Sequence, residues 1–217
     1  MTNGDPRGSL PDWVYGEIRQ RIIKGVYPQG SRLVEQAVAD ELEVSRVPLR
    51  EVFPRLELDG FIRTERNRGA VVETWTPKMV DDLFDVRLAV EVAAARIAAD
   101  RAKAGASMAT LWALQEADRN ALAGNDPYGV AEASAQLHYE IGVLTGNALM
   151  ESFLRAISGR VVWLFYLTSD LDQDEAWAEH DELLQVIQSG NAPLAEAVQY
   201  AHIAKSLAPT ASALFGT

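Results

Sequence analysis

A change of residue pattern near Pro77 constrains the fold of this chain of 217 residues more than any other feature. After it, about 140 residues keep the helical spacing of apolar side chains and show no convincing strand. Interruptions by glycine, proline, aspartate and asparagine predict six helices, at residues 77–103, 107–123, 127–145, 147–169, 172–189 and 192–208. Such helices bury their apolar stripes against one another, so we predict an antiparallel all-α bundle over residues 76–217.

The segment before Pro77 has a different order of elements. Its apolar spacing and turn residues predict three helices, at residues 11–24, 35–42 and 45–59, and two strands, at residues 61–64 and 70–73. Three helices followed by a β-hairpin is the order of a winged helix-turn-helix. We therefore predict a mainly α protein of two domains, with the winged helix-turn-helix over residues 1–75 and a linker at residues 74–77.

Composition limits the class of protein. The chain has no cysteine, so it holds no disulfide, no thiolate zinc site and no catalytic thiol. Its longest apolar run, Val161–Leu167, is far short of the ~20 residues that span a bilayer. The first residues show no signal-peptide pattern. We expect a cytoplasmic protein with no membrane partner.

Charge is distributed unevenly along the chain. The formal net charge of −11 disfavours a general nucleic-acid binder when the chain is taken as a whole. Residues 1–75 carry a net charge of −1 and residues 76–217 carry −10, yet the window Val44–Arg68 holds six arginines against four acids. This window is compatible with DNA binding on one side, although charge alone also fits ordinary solvated arginines.

The most specific stretch is Ser45–Glu51, at the start of the third predicted helix. Arg46 and Arg50 are four residues apart and therefore share one helical face, from which arginine can read guanine in a major groove. Ser45 can cap the helix and reach a phosphate, and Pro48 fits the first turn. Spacing alone leaves a solvated helix with nothing bound as an equal alternative.

Four stretches, in order along the chain, resemble the winged helix of the GntR family of bacterial transcription regulators: Lys24–Leu33, Ser45–Glu51, Arg55–Ile62 and Arg68–Val72. The helical remainder resembles the FCD effector domain of the FadR subfamily, and its shortness is closer to the VanR-like branch. The resemblance implies a ligand-responsive repressor that binds double-stranded operator DNA as a homodimer. It implies DNA contacts by Arg32, Ser45, Arg46, Pro48, Arg50, Arg68 and Gly69.

Two residues depart from the pattern of the family. Glu43 stands where a glycine usually turns the chain between the second and third helices, and a left-handed backbone there would cost roughly 1 kcal/mol. Pro54 lies inside the third helix, where it removes the hydrogen bond to the Arg50 carbonyl at a nominal cost of ~3 kcal/mol. We expect a kink that re-aims Arg55.

The three histidines of the chain, His138, His180 and His202, fall on three different predicted helices. Each histidine alone is most simply a core or surface residue. The resemblance implies that together they bind a divalent metal with one aspartate, and zinc is a candidate metal. Ser134 stands at the expected aspartate position, one turn before His138. We therefore predict a site of three protein ligands, which the substitution Ser134→Asp would tighten.

Arg87 is flanked by apolar residues and is predicted either to point inward or to pair with Glu91. The resemblance implies that it meets the carboxylate of a small organic acid. Ser134 and Asn147 are assigned to the same effector site, although Asn147 equally fits a helix N-cap.

Two other functions stay open at this point. One is a metal-dependent hydrolase that uses the three histidines, and the other is a protein–protein adaptor. The sequence shows no obvious base near the histidines, no GxSxG motif and no phosphate loop. We therefore predict that the chain is not an enzyme.

Overall fold

The chain forms two compact units, Met1–Trp75 and Thr76–Thr217, here called the N-terminal unit and the helical unit. The structure, a computed structural model, describes residues 9–66 and 68–216. Within those ranges, no helix has the length and apolar character needed to cross a membrane.

The N-terminal unit contains three helices and a small antiparallel sheet. Its elements are α1 (Leu10–Ile23), β1 (Arg32–Leu33), α2 (Glu35–Glu41), α3 (Arg46–Leu58), β2 (Ile62–Glu65) and β3 (Gly69–Val72). The strand order is β1-β3-β2, with Arg63 of β2 opposite Val71 of β3. The predicted winged helix-turn-helix is confirmed. The sequence does not predict β1, because two residues are too few to show an alternating pattern.

The core of the N-terminal unit lies between α1 and α3. Buried side chains recur every three or four residues on both helices: Val14, Ile18 and Ile22 on α1, and Leu49, Val52 and Leu56 on α3. This stripe fixes one side of α3 against the unit. The opposite side of α3 is thereby presented to the outside in a defined orientation.

The helical unit consists, within the described residues, of the six helices that the sequence predicts. They are α4 (Pro77–Lys103), α5 (Ala109–Ala123), α6 (Pro127–Leu144), α7 (Ala148–Leu167), α8 (Gln173–Gln188) and α9 (Ala192–Phe215). Helix α4 is central and packs against α6, α7, α8 and α9. Its buried face carries small side chains that let its neighbours approach closely, namely Ala94, Ala95, Ala98 and Ala99.

Helix α9 extends to Phe215, beyond the predicted end at residue 208. Pro209 lies inside this helix on its exposed side. A proline removes one backbone donor, and on an exposed side the carbonyl that loses its partner is able to bond water. A proline at position 209 is a signal for a helix end, but because Pro209 is exposed, α9 continues through it.

The structure shows the local conformation at Glu43 and Pro54, the two residues that depart from the family pattern. Glu43 has a φ of 54°, which is the left-handed conformation. Pro54 is exposed, and α3 continues through it. Arg55 turns towards α1, where its guanidinium lies 4.5 Å from the centre of the Tyr15 ring and 2.9 Å from Oδ1 of Asp12. Arg55 therefore stabilises the fold and does not extend the outward face of α3.

We expect Glu43→Gly to raise the free energy of unfolding by about 1 kcal/mol, because glycine enters the left-handed conformation without the steric cost of a Cβ. The matched control is Glu51→Gly on the exposed face of α3, which should lower that free energy by about 1 kcal/mol because a helix interior disfavours glycine. Urea unfolding followed by circular dichroism measures both values. Effects of equal sign would contradict the proposed strain at Glu43.

Candidate functional site

The outward face of α3 presents the predicted DNA-reading arginines. Arg46 and Arg50 are both exposed. The Nη2 of Arg46 donates to Oε2 of Glu35 at 2.9 Å, whereas Arg50 has no partner among the described residues. Ser45 is the N-cap residue of α3, and its exposed side chain makes no capping hydrogen bond. All three side chains are therefore accessible to a ligand outside the protein.

Pro48 has the predicted position at the start of α3. It lies in the first turn of α3, as expected, but its side chain is buried. Its burial gives no support to the expected contact of Pro48 with DNA. The ring of proline fixes φ at a value suited to a helix. Proline also lacks a backbone N–H, but an N–H in the first turn would have no partner within the helix, so Pro48 favours the start of α3.

The wing and the strand beside it carry the other predicted DNA contacts. Arg68 follows β2 and pairs with Oε2 of Glu65 at 2.7 Å, with 55% of its side chain exposed. Gly69 adopts a φ of 75°, which a residue with a Cβ would adopt only with strain. Arg32 is exposed on β1.

Most arginines of the window Val44–Arg68 are already paired within the N-terminal unit. Carboxylates bond Arg46, Arg55, Arg63 and Arg68. The positive charge of the window therefore overstates the charge that is free to meet DNA. Exposed pairs of this kind contribute about 0–1 kcal/mol, so phosphates can replace the acids at Arg46 and Arg68.

Three histidines from three helices meet in the interior of the helical unit. His138 of α6, His180 of α8 and His202 of α9 have ring centroids between 4.8 and 5.3 Å apart. Each is at most 8% exposed. They form a group whose possible ligand atoms lie within 4.8 Å of one another. Each belongs to the buried stripe of its helix, so helix packing itself brings the imidazoles together.

Carboxylates hold two of the imidazole rings at Nδ1. The Nδ1 of His138 lies 3.1 Å from Oε2 of Glu91. The Nδ1 of His202 lies 2.8 Å from Oε2 of Glu179. With the proton on Nδ1, each ring donates to its carboxylate and keeps the lone pair of Nε2 for another partner.

The donor set of the cluster fits a divalent metal. The Nε2 of His138 and both ring nitrogens of His180 are buried and have no hydrogen-bond partner among the described residues. Buried nitrogens are rarely left unpaired in folded proteins. Imidazole nitrogens suit zinc and other borderline metals, so an ion bound to all three histidines would use these lone pairs.

Burial keeps two of these imidazoles neutral. It lowers the pKa of His138 to about 4 and that of His202 to about 3, although the neighbouring carboxylates oppose the effect. The hydrogen bond from His202 lowers the pKa of Glu179 to about 2. Because neutral imidazole is the form that binds a metal, neither ring needs to lose a proton to do so at neutral pH.

Ser134 lies one turn before His138 on α6 and is buried. Its Oγ donates to Oδ2 of Asp118, on α5, at 3.0 Å. An aspartate at position 134 would therefore stand beside another carboxylate, and like charges so close oppose ionisation. This neighbour weighs against the prediction that Ser134→Asp tightens metal binding.

A cavity of about 280 Å³ opens beside the histidine cluster. Its lining includes Ser134, Phe165, Glu179, His180, His202 and Lys205. The Nζ of Lys205 donates to Oε1 of Glu175 and to Oε1 of Glu179, both at 2.6 Å. A small molecule in this cavity would lie next to two of the three histidines and to one ammonium group.

Arg87 satisfies both alternatives of the sequence analysis, since it points inward and pairs with Glu91. It is 1% exposed, and its Nε donates to Oε1 of Glu91 at 2.9 Å. Burial alone would raise the pKa of Glu91, but Arg87 and His138 lower it well below its usual range. Arg87 is not among the residues that line the cavity. Its pairing with Glu91 and its place outside the cavity lining give no support to the predicted effector contact, although its Nη1 is buried without a hydrogen-bond partner among the described residues.

Asn147 acts as the N-cap of α7. Its Oδ1 accepts the N–H groups of Leu149 and Met150 at 3.1 and 3.3 Å. It is exposed and does not line the cavity. Its position supports the capping alternative and gives no support to an effector contact.

Sequence reasoning missed the polar residues that support the cluster: Asp118, Glu179, Gln199 and Lys205. Gln199, for example, is 1% exposed and donates to Oε2 of Glu91 at 3.1 Å. Asp118 lies on the buried stripe of α5, seven residues after Leu111. A charged residue that falls on the apolar stripe of a helix predicts a buried charge, which needs a polar partner in the interior.

We expect Arg87→Met to lower the free energy of unfolding by roughly 3–5 kcal/mol, because Glu91 would remain as a buried carboxylate without its counter-charge. The double substitution Arg87→Met/Glu91→Gln removes both charges and should recover much of that loss. Urea unfolding in the presence of a chelator measures both variants without a contribution from metal. A single variant as stable as the native protein would argue against this role for the ion pair.

Two family profiles match the chain. The profile described as bacterial regulatory proteins, gntR family, matches residues 11–72, and the FCD domain profile matches residues 82–205. A relative described as a probable D-xylose utilization operon transcriptional repressor, from Paenarthrobacter nicotinovorans, is 27% identical over 206 residues. That alignment covers 94% of this chain and 90% of the relative.

Further comparisons agree with these profiles. The HTH-type transcriptional regulator YdhC of Bacillus subtilis is 22% identical over 190 residues, which are 87% of this chain and 85% of YdhC. A solved GntR regulator from Rhodococcus sp. RHA1 has the same fold, with a TM-score of 0.78 and 22% identity, over 92% of this chain and 96% of that one. The hydrolase alternative is thereby excluded. The chain belongs to the GntR family of bacterial regulators with an FCD domain, and it is a ligand-responsive, DNA-binding transcriptional regulator and not an enzyme.

Proposed function

We propose that the protein is a homodimeric repressor of a palindromic operator. Residues 1–75 form its DNA-binding domain, and residues 76–217 form its ligand-binding and dimerisation domain, which agrees with the ranges of the two profiles. Leu149 and Phe153, one turn apart on α7, are 72% and 60% exposed and offer an apolar surface for pairing. A two-fold dimer would place its winged helices on half-sites about one helical turn apart.

The exposed arginine face of α3 is the observation that carries the DNA proposal. Arg50, with no partner among the described residues, is the candidate for a bidentate contact to guanine. Arg46 and Ser45 lie at the helix N-terminus, where backbone N–H groups also favour phosphate. The remaining candidates for contacts to the DNA backbone are Arg32, Arg68 and Gly69.

We expect Arg50→Ala to weaken specific operator binding by about 1–3 kcal/mol, as for the loss of one bidentate base contact. The matched control is Arg96→Ala, which removes the same charge from an exposed position of α4. Fluorescence anisotropy with a labelled operator at fixed salt measures both variants, and a homodimer should saturate at two chains per duplex. Unchanged affinity of the Arg50 variant, or an equal loss with the control, would remove Arg50 from the reading face.

The helical unit is further proposed to bind one divalent metal ion through His138, His180 and His202, with zinc as the candidate. The support is the set of buried, unpaired ring nitrogens and the neutral state of two of the rings. Three protein ligands leave at least one position open on a zinc ion, and that position would accept an oxygen of a ligand or of water.

The charges of the cavity favour a small carboxylic acid as the effector when the metal is present. The lining carboxylates Asp172, Glu175 and Glu179 face one ammonium, that of Lys205, which gives a formal charge of −2. A divalent ion held by neutral imidazoles brings this total to zero, so it makes the cavity acceptable to an anion. Because one relative is described as a regulator of D-xylose utilization, a neutral sugar is the competing ligand class.

We expect binding of an organic acid to depend on the metal. Zinc-loaded protein should bind at least one member of an organic-acid panel in calorimetry, and chelator-treated protein should bind none, since its cavity is net negative. Lys205→Met should weaken this binding, whereas Lys78→Met, at an exposed position of α4, should not. Repeating the titration with operator present tests the link to DNA, because an effector changes DNA affinity only through the reciprocal coupling of the two sites.

Three results would count against this proposal. Absence of metal in protein reloaded with zinc and then dialysed would reject the metal site. Binding of D-xylose in place of every organic acid would reject the carboxylate. Equal acid binding with and without zinc would reject the role given to the ion.

A further inference from the structure

The buried carboxylate of Asp118 lies beside the histidine cluster, and the proposed metal site gives it no role. Its side chain is 4% exposed. Oδ2 accepts the hydroxyl of Ser134 at 3.0 Å and lies 3.8 Å from Nδ1 of His180. Oδ1 is buried and has no partner among the described residues. A carboxylate in the interior needs a hydrogen-bonded or charged partner for each oxygen, and Oδ1 has none among the described residues.

The other two histidines show what a carboxylate does in this cluster. Glu91 lies at Nδ1 of His138 and Glu179 lies at Nδ1 of His202, at 3.1 and 2.8 Å. In metal sites, such a carboxylate fixes the tautomer and the orientation of the ring and raises its basicity at Nε2. His180 is the member of the cluster whose two ring nitrogens are both unpaired among the described residues. Asp118 is the carboxylate that faces its Nδ1.

Asp118 is placed behind His180 and not among the ligands. Among the described residues, the group of possible ligand atoms within 4.8 Å of one another comprises the three histidines and does not include Asp118. His180 and Ser134 line the cavity, whereas Asp118 does not. Asp118 would therefore act on an ion in the cluster through the ring of His180 and would not bind the ion itself.

We propose that Asp118 is the positioning residue of His180, an inference that rests on the metal site proposed above. The 3.8 Å between Oδ2 and Nδ1 must shorten by about 0.8 Å to reach a normal hydrogen bond. A small rotation of the imidazole would bring the two atoms to that distance. With its proton on Nδ1, the ring would then keep the lone pair of Nε2 for the metal. Ser134 then has a defined role at the position where the family carries an aspartate. In this arrangement Ser134 does not bind the ion; its hydroxyl donates a hydrogen bond to the carboxylate of Asp118 on α5.

The inference is tested by the zinc affinity of Asp118→Asn, measured in competition with a chelator of known affinity. Loss of the carboxylate should weaken zinc binding by about 10–100-fold, as is typical for an outer partner of a ligating histidine. The matched control is Glu116→Gln, an exposed acid of the same helix, which should bind zinc as the native protein does. Equal losses in both variants would mean a general charge effect and would overturn the proposal.

A second measurement reads the state of the ring directly. Long-range nitrogen–proton NMR spectra of the zinc-loaded native protein should show His180 with its proton on Nδ1 and its metal on Nε2. A proton on Nε2 of His180 would overturn the proposal, and so would an Asp118→Asn protein with native zinc affinity. If Asp118→Asn does not fold, Ser134→Ala replaces it, because it keeps the carboxylate and removes only its hydroxyl donor. It should weaken zinc binding to a smaller extent, and native affinity would again be the contrary result.

The substitution His180→Ala separates this inference from the metal site itself. If His180→Ala binds zinc as tightly as the native protein, the three-histidine site is wrong and the role of Asp118 falls with it. If His180→Ala loses zinc while Asp118→Asn and Ser134→Ala keep native affinity, the metal site stands and only the positioning role is rejected.

Discussion

The carboxylate of Glu91, 3% exposed inside the helical unit, sets the arrangement of three helices around it. A buried charge is tolerated only where it is paired and hydrogen-bonded. Glu91 receives Nε of Arg87 from its own helix, Nε2 of Gln199 from α9 and Nδ1 of His138 from α6, at 2.9, 3.1 and 3.1 Å. Because all three donors must reach one side chain, α4, α6 and α9 are fixed in register. The same contacts fix the ring of His138, and with it one corner of the proposed metal site.

The cavity lies where a small ligand would contact several of these helices at once. Its lining takes residues from α6, α7, α8 and α9. Lys205 of α9 joins two carboxylates of α8, and Glu179 among them also holds His202. A metal ion or an effector bound there would lie against residues of both α8 and α9, beside the ion pairs that join these helices. Such a site is suited to a regulator, because a ligand acts on a distant function only through differential affinity for two arrangements.

Much of the fold could be predicted from sequence because it depends on local patterns. Apolar spacing, together with glycine and capping residues, located the helices of the described residues, and most of their ends were correct within two residues. The exceptions have physical causes. Strand β1 is two residues long and exists only through its pairing with β3. The sequence predicted that the last helix ends at residue 208, but α9 continues through Pro209, which is exposed. Exposure likewise lets α3 continue through Pro54.

The sequence by itself determined the two-part organisation, the arginine face of α3 and the identity of the three histidines, since each of these is a matter of residue type and spacing. Only the tertiary structure decided what surrounds them. It buried Pro48, joined Arg87 to Glu91 and placed Asp118 beside Ser134 and His180. These partners are 4 to 62 residues apart, and most come from different helices. Helical periodicity predicts which side chains turn inward. The distances and crossing angles between packed helices decide which of these side chains contact one another.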